Sequence, residues 1–137
     1  MTSQRLPAVV TVAALMHLVW AYCLLVDPSS INVTAMYGIK FLALSLPTTI
    51  LVLYAVAALA LCALPLRSGW GRVLCILPQQ VILLISAVGV LRAMWFGEFA
   101  DGTLRTSPFL IADQIPVLLL AGFHMLSVYR VVIAIEL

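Results

Sequence analysis

Residues Val73–Leu91 read VLCILPQQVILLISAVGVL, nineteen consecutive positions without a charged side chain. An α-helix rises 1.5 Å per residue, so about 20 apolar residues cross the roughly 30 Å hydrocarbon core of a bilayer. Three more stretches are uncharged and similarly apolar: Leu6–Val26, Phe41–Leu66 and Gln114–Tyr129. Strands of a membrane barrel would alternate in polarity, and these stretches do not. The sequence therefore predicts four transmembrane helices, at about 6–27, 39–65, 72–96 and 108–132.

The composition of the whole chain indicates lipid, rather than water, as its surroundings. Hydrophobic residues make up 65% and charged residues 9% of the 137 positions, whereas soluble domains average about 45–50% and about 25%. Seven basic and five acidic side chains cannot cover a soluble domain of this length, and the apolar excess excludes intrinsic disorder. The net charge of +2 offers no surface for phosphate, so nucleic acid is not an expected partner. The expected surroundings are a lipid bilayer.

Short connections link the four predicted helices. They carry proline, glycine and serine turn signals, and they lie at Asp27–Ser30, Pro65–Gly71 and Gly97–Pro108. Because short links make consecutive helices antiparallel neighbours, the sequence predicts an all-α, up-down four-helix bundle. This bundle is expected to form a single domain over residues 1–137.

The distribution of basic residues predicts the orientation in the membrane. Four arginines fall on one side and three basic residues on the other: Arg5, Arg67, Arg72 and Arg130 against Lys40, Arg92 and Arg105. Lys and Arg are enriched in cytoplasmic segments, so we expect a multi-pass protein of the cell membrane with both termini in the cytoplasm. The first apolar stretch is longer than a signal peptide requires and lacks a small-residue cleavage site, so it is expected to remain as a helix.

Ionisable and amide side chains inside the predicted spans are candidate functional residues, because they are costly to place in lipid. In an antiparallel hairpin, residues at equal depth have position numbers with a constant sum, and the third and fourth spans turn near residue 102. Arg92 and Asp113 sum to 205, and Gln80 and His124 sum to 204. We expect Arg92 and Asp113 to form an ion pair near the outer leaflet. It could be a gate or an ion-binding pair, it could only fix the helix register, or Arg92 could extend towards the interface.

Two histidines lie at similar depths in the first and last predicted spans. His17 is about ten residues and His124 about eight residues from the cytoplasmic side, a difference of about 3 Å along a helix. The first and last helices of a bundle are often neighbours. The pair could be axial ligands of haem b or part of a metal site, or could relay protons. Alternatively each imidazole bonds a neighbour: Gln80 for His124, and Thr48 or Thr49 for His17.

Two further patterns concern helix packing. Pro47-Thr48-Thr49 and Pro78-Gln79-Gln80 each predict a break in a helix, beside polar side chains that can replace the lost backbone hydrogen bond. Small residues allow close helix approach in membranes. They are expected at helix contacts in two stripes: Ala55, Ala58 and Cys62 in the second span, and Ser86 and Gly89 in the third.

The sequence contains no enzyme signature, such as a nucleophile elbow, a zinc-protease motif, a phosphate loop or a dinucleotide fingerprint. We therefore expect a small non-enzymatic membrane protein that self-associates or serves as an accessory subunit of a membrane complex. Two alternatives remain open. One is an oligomeric pore or small ion or solute transporter, including a lysis-type permeabilising protein. The other is an electron-transfer membrane anchor that binds haem through His17 and His124.

Overall fold

The structure is a computed structural model, and it describes residues 8–29, 39, 42–96 and 115–136, with the backbone alone at 92–96 and 136. This part of the chain contains four α-helices: α1 (Ala8–Val26), α2 (Leu46–Cys62), α3 (Gly69–Phe96) and α4 (Ile115–Glu136). The predicted all-α class is confirmed for it. Three helices contain a stretch that is long and apolar enough to cross a membrane: Ala8–Val26, Gly69–Leu91 and Ile115–Ile135.

Helix α2 is shorter than the predicted span 39–65, and that prediction is wrong in extent. Its 17 residues rise about 25 Å, less than the hydrocarbon core of roughly 30 Å. The cause lies before the helix, where Ala43 has a φ of 52°. This left-handed conformation cannot continue a right-handed helix, and it costs a residue with a Cβ about 1–2 kcal/mol. Ser45 is then extended, with φ −62° and ψ 156°, so the helix begins at Leu46.

Pro47 lies in the first turn of α2, where its missing N–H would have no helical partner anyway. The predicted break within a helix at this proline is therefore a helix start. Neighbouring hydroxyls organise the turn: the Ser45 and Thr48 hydroxyls lie 2.7 Å apart in a hydrogen bond. The backbone N–H and the hydroxyl of Thr49 both donate to the Ser45 carbonyl, at 2.9 and 3.0 Å.

Helix α3 begins at Gly69, three residues before the predicted position. Ser68 organises its first turn, because the Ser68 hydroxyl accepts the Gly71 N–H at 3.2 Å. The Ser68 carbonyl accepts the Arg72 N–H at 3.0 Å. Helix α4 runs to Glu136, beyond the predicted end at 132. Its predicted beginning, at 108–114, lies outside the described residues.

The bundle core is apolar and rich in alanine. Helix α1 packs most extensively on α2, and α3 on α4, with smaller contacts from α2 to α3 and from α1 to α4, and the smallest from α1 to α3. One apolar cluster joins α1, α3 and α4 at the centre: Ala13, Leu83, Ala87 and Ala121. Three alanines in this cluster allow the three helices to approach closely.

The small-residue stripe predicted on α2 faces outward, so that prediction is wrong. Ala55, Ala58 and Cys62 are exposed. The buried face of α2 instead carries Leu53, Val56, Ala57 and Ala60. Every face of α2 is apolar and each offers small residues, so hydrophobicity alone does not select the contact face. On α3, by contrast, Ser86 and Gly89 are buried, as predicted.

Candidate functional site

The described interior contains seven buried polar side chains, which are the candidates for a functional site: His17, Thr49, Gln79, Gln80, Ser86, His124 and Ser127. A buried polar group costs free energy unless it forms hydrogen bonds. Buried polar side chains that have hydrogen-bond partners within the protein serve packing, whereas those without partners remain available for a ligand.

Gln79 connects three helices. It lies on α3 directly after Pro78, and its side chain is fully buried. Its amide Nε2 donates to the backbone carbonyl of Val10 on α1, at 3.1 Å. Its Oε1 forms a short hydrogen bond with Nε2 of His124 on α4. One side chain thus ties α1, α3 and α4 together at one level.

His124 is held between two glutamines. Its Nε2 contacts Gln79, and its Nδ1 lies 2.5 Å from Oε1 of Gln80. A neutral imidazole has one donor and one acceptor, so it cannot donate to two amide oxygens. The Val10 carbonyl fixes the direction of the Gln79 amide, because its Nε2 must point there. Nε2 of His124 is therefore the donor to Gln79.

The other ring nitrogen of His124 then needs a donor, and the Gln80 amide can supply one. As placed, Gln80 Nε2 is buried without a hydrogen-bond partner among the described atoms. Turning the amide by 180° brings this NH2 group to His124 Nδ1, and amide orientation is assigned from such networks. A buried imidazolium is costly without a paired carboxylate, and both residues bonded to His124 are glutamines. The arrangement therefore corresponds to a neutral His124, with a proton on Nε2 and a hydrogen bond at each ring nitrogen.

Pro78 has a different surrounding from the one predicted. It lies inside α3, as expected, where its ring removes one helical hydrogen bond. The side chains of Gln79 and Gln80 do not fold back to replace it. They reach across the bundle to Val10 and His124.

His17 is fully buried on α1 and has no hydrogen bond of normal geometry at either ring nitrogen within the described part of the chain. The ring packs edge to face against Trp20, with centroids 5.5 Å apart and an interplanar angle of 85°.

The predicted pairing of His17 with Thr48 or Thr49 is not found. Thr48 is exposed and bonds Ser45, and the hydroxyl of Thr49 donates to the Ser45 carbonyl. The physical reason is the late start of α2. Both threonines belong to its first turn, where their hydroxyls complete the helix start.

The remaining predicted sites are the ion pair of Arg92 with Asp113 and the metal or haem site. The side chain of Arg92 and all of Asp113 lie outside the described residues, so their ion pair stays a prediction. The described residues contain no group of three or more His, Cys, Asp or Glu that could hold a metal ion. Ligation of haem iron by His124 would first require breaking its bond to Gln79 or Gln80.

Two features of the site had little or no signal in the sequence. The Gln79 bond ends on a backbone carbonyl, and carbonyls look alike at every position. Ser86 was recognised only as a small residue suited to helix packing, although its hydroxyl is fully buried without a partner among the described atoms. Ser86 lies seven residues, or two helical turns, after Gln79, and this spacing places both residues on one face of α3. The spacing is the sequence signal that could have indicated a polar role for Ser86.

Comparisons of the chain with protein-family models, with curated proteins and with solved structures found no significant match. Function is therefore inferred from the geometry of the buried polar groups and from the apolar outer surface.

Proposed function

We propose that this chain is an integral membrane protein of four antiparallel transmembrane helices that works without catalysis, as an oligomer-forming or accessory subunit of a membrane complex. The observation that carries the proposal is the hydrogen-bonded group of His124, Gln79 and Gln80. These polar side chains are used in joining α1, α3 and α4, which is a packing role.

An antiparallel arrangement of α3 and α4 is supported by two contacts far apart along the helices. Gln80 bonds His124, and Gly69 lies so close to Ile135 that a Cβ there would collide with its side chain. The position numbers sum to 204 in both pairs (80 + 124 and 69 + 135). A constant sum is expected for helices that run in opposite directions.

The apolar clusters support the same arrangement for α1 and α2. Trp20 and Leu24, late in α1, share a cluster with Leu53, early in the second helix. Val10, early in α1, shares another cluster with Ala60, late in α2. With 17 residues, α2 is at the lower limit for crossing a bilayer, and local thinning of the lipid would accommodate it.

The outer surface supports a lipid environment and a helical partner. Large apolar side chains are exposed on all four helices, for example Val19, Leu51, Val88 and Leu119. Helix α4 is the least enclosed, because only 17% of its apolar window is buried, against 56% for α3. A surface of this kind needs lipid or another transmembrane helix to cover it.

The experiment is purification of the full chain in a mild detergent, followed by native mass measurement and a visible spectrum. The proposal predicts a colourless oligomer, or a complex with a larger membrane partner. A monomer under all mild conditions would contradict the subunit role. A Soret band that is lost on His17→Ala and on His124→Ala would replace it with the haem anchor.

A second candidate is a small transporter or oligomeric pore. It is favoured by His17 and Ser86, which are buried in the interior without partners among the described atoms. Flux of ions or small solutes into liposomes that contain the purified chain, reduced by His17→Ala, would support this candidate over the first.

A further inference from the structure

Buried polar atoms without a hydrogen-bond partner among the described atoms are found on His17, Ser86 and Gln80, and of these residues Gln80 also bonds His124. The side chains of His17 and Ser86 are fully buried. Two other buried hydroxyls behave differently, since Thr49 donates to the Ser45 carbonyl at 3.0 Å and Ser127 to the Phe123 carbonyl at 2.9 Å. This bond to the preceding turn is the usual way for a helical hydroxyl to satisfy itself. Ser86 does not make it.

The helix register places His17 and Ser86 at one depth. Val10 and Gln79, which are hydrogen-bonded, differ by 69 in position number (79 − 10). Ser86 and His17 also differ by 69 (86 − 17). A constant difference is expected for two helices that run in the same direction, as α1 and α3 of an up-down bundle do.

The two residues also occupy matching faces. His17 comes seven residues, two turns, after Val10, and Ser86 comes seven residues after Gln79. Seven residues return to nearly the same face of a helix. Because Gln79 reaches Val10 across the contact between α1 and α3, the next polar pair along the same contact is His17 with Ser86.

We propose that this contact holds a bound water molecule that bridges a ring nitrogen of His17 and the hydroxyl of Ser86. The two groups do not bond each other directly, so a molecule between them is needed to satisfy both. A buried water requires two to four polar partners, and His17 and Ser86 supply two. Ala13 lies one turn before His17 and Ala87 directly follows Ser86, so the nearest neighbours along both helices have small side chains.

Water fits the site better than a larger or charged ligand. The neighbouring cluster of Ala13, Leu83, Ala87 and Ala121 is apolar and buried. A cation would find neutral nitrogen and oxygen atoms and no carboxylate among these residues. The site rests on the packing of α1 against α3, and it does not depend on the subunit role proposed above.

The test uses the full chain in lipid bilayers with 15N-labelled histidine. The sequence contains two histidines, so the ring signals come from His17 and His124 alone and can be assigned from their backbone neighbours. Solid-state NMR then measures transfer of magnetisation from water protons to each ring nitrogen. We expect rapid transfer to His17 and slower transfer to His124, whose nitrogens are bonded to glutamines.

Ser86→Ala is expected to reduce the initial transfer rate to His17 by about twofold or more, because it removes one of the two anchors of the water. Ser127→Ala is the matched control, since that hydroxyl bonds its own helix, and it should leave the rate unchanged. The wild-type measurement can overturn the proposal by itself. It does so if transfer from water to His17 is no faster than transfer to the buried backbone amides of α1. An unchanged rate in Ser86→Ala, or an equal loss in Ser127→Ala, would also overturn it.

Discussion

His124 shows how a single residue organises the interior of this bundle. Its ring has a hydrogen-bond partner on each side, Gln79 and Gln80, and Gln79 continues to the Val10 carbonyl. Removing one member of such a chain leaves a buried partner unsatisfied, which costs more than the bond itself contributes. Substitutions of these hydrogen-bonded residues should therefore lower the free energy of unfolding far more than substitutions of their neighbours.

The first residue-scale prediction concerns His124→Ala. It leaves the amide groups of Gln79 and Gln80 without their partner, so we expect a loss of about 1–3 kcal/mol in the free energy of unfolding. The control is Ser127→Ala, one turn along α4, which should cost less than about 0.5 kcal/mol. Reversible unfolding in detergent micelles measures both. Equal losses would show that the glutamines do not depend on His124.

Gln79 and Gln80 provide a second matched pair. Gln79→Leu breaks bonds to two helices, whereas Gln80→Leu breaks only the bond to His124. We expect Gln79→Leu to be the more destabilising by about 1 kcal/mol, measured in the same unfolding assay. The reverse order would contradict the role of Gln79 as the connection among three helices.

At the scale of elements, the boundaries of α2 and the contact of α3 with α4 depend on backbone geometry. Ala43 carries a left-handed φ of 52° immediately before α2. Gly69 begins α3 at a point where Ile135 of α4 leaves no space for a side chain. Glycine would suit both positions, but the sequence has glycine only at position 69 and alanine at position 43.

Ala43→Gly is expected to raise the free energy of unfolding, by up to about 1 kcal/mol, because glycine adopts positive φ without the clash at Cβ. Ala55→Gly is the control. Ala55 is exposed in the middle of α2, so glycine there should lower stability by about 1 kcal/mol. The two substitutions should thus have opposite signs in a thermal unfolding experiment, and a clear loss of stability in both would refute the left-handed conformation at Ala43.

Gly69→Ala should destabilise the contact between α3 and α4, by about 1 kcal/mol or more, because a Cβ would overlap the side chain of Ile135. Gly122→Ala is the matched control on α4, where a Cβ meets no atom within 4 Å. Alanine there should be neutral or stabilising by about 0.5–1 kcal/mol. Thermal unfolding of both variants decides the point, and a destabilised Gly122→Ala beside an unaffected Gly69→Ala would contradict the contact.

Sequence reasoning reached some elements of this molecule and not others, for physical reasons. Uncharged runs predicted the helices well, because few other structures can bury such segments. The residues at which α2 begins and ends were not predicted correctly, because an alanine in the sequence does not indicate the positive φ that Ala43 adopts. The buried face of α2 was also missed, because this helix is apolar on every side. The contact of His124 with Gln80 followed from the constant sum of position numbers in an antiparallel hairpin, whereas the bond of Gln79 to a backbone carbonyl could not be predicted in this way.

At the scale of the whole molecule, the described residues combine a polar interior with an apolar exterior, which is the distribution that a lipid environment favours. The exposed surface carries large apolar side chains on every helix, while both histidines, two glutamines and two serines are enclosed: His17, His124, Gln79, Gln80, Ser86 and Ser127. In water this distribution would leave the apolar surface uncovered. It is the distribution expected if the chain is inserted in a bilayer, for which we propose four crossings with both ends of the chain on one side.

The membrane topology is tested most directly by locating the two termini in intact cells that express the chain with a small epitope tag at either end. If both termini lie in the cytoplasm, neither tag is reached by antibody or protease until the cells are permeabilised, and the chain sediments with membranes and is released only by detergent. Tags on opposite faces of the membrane, or a chain that is recovered soluble without detergent, would contradict this topology.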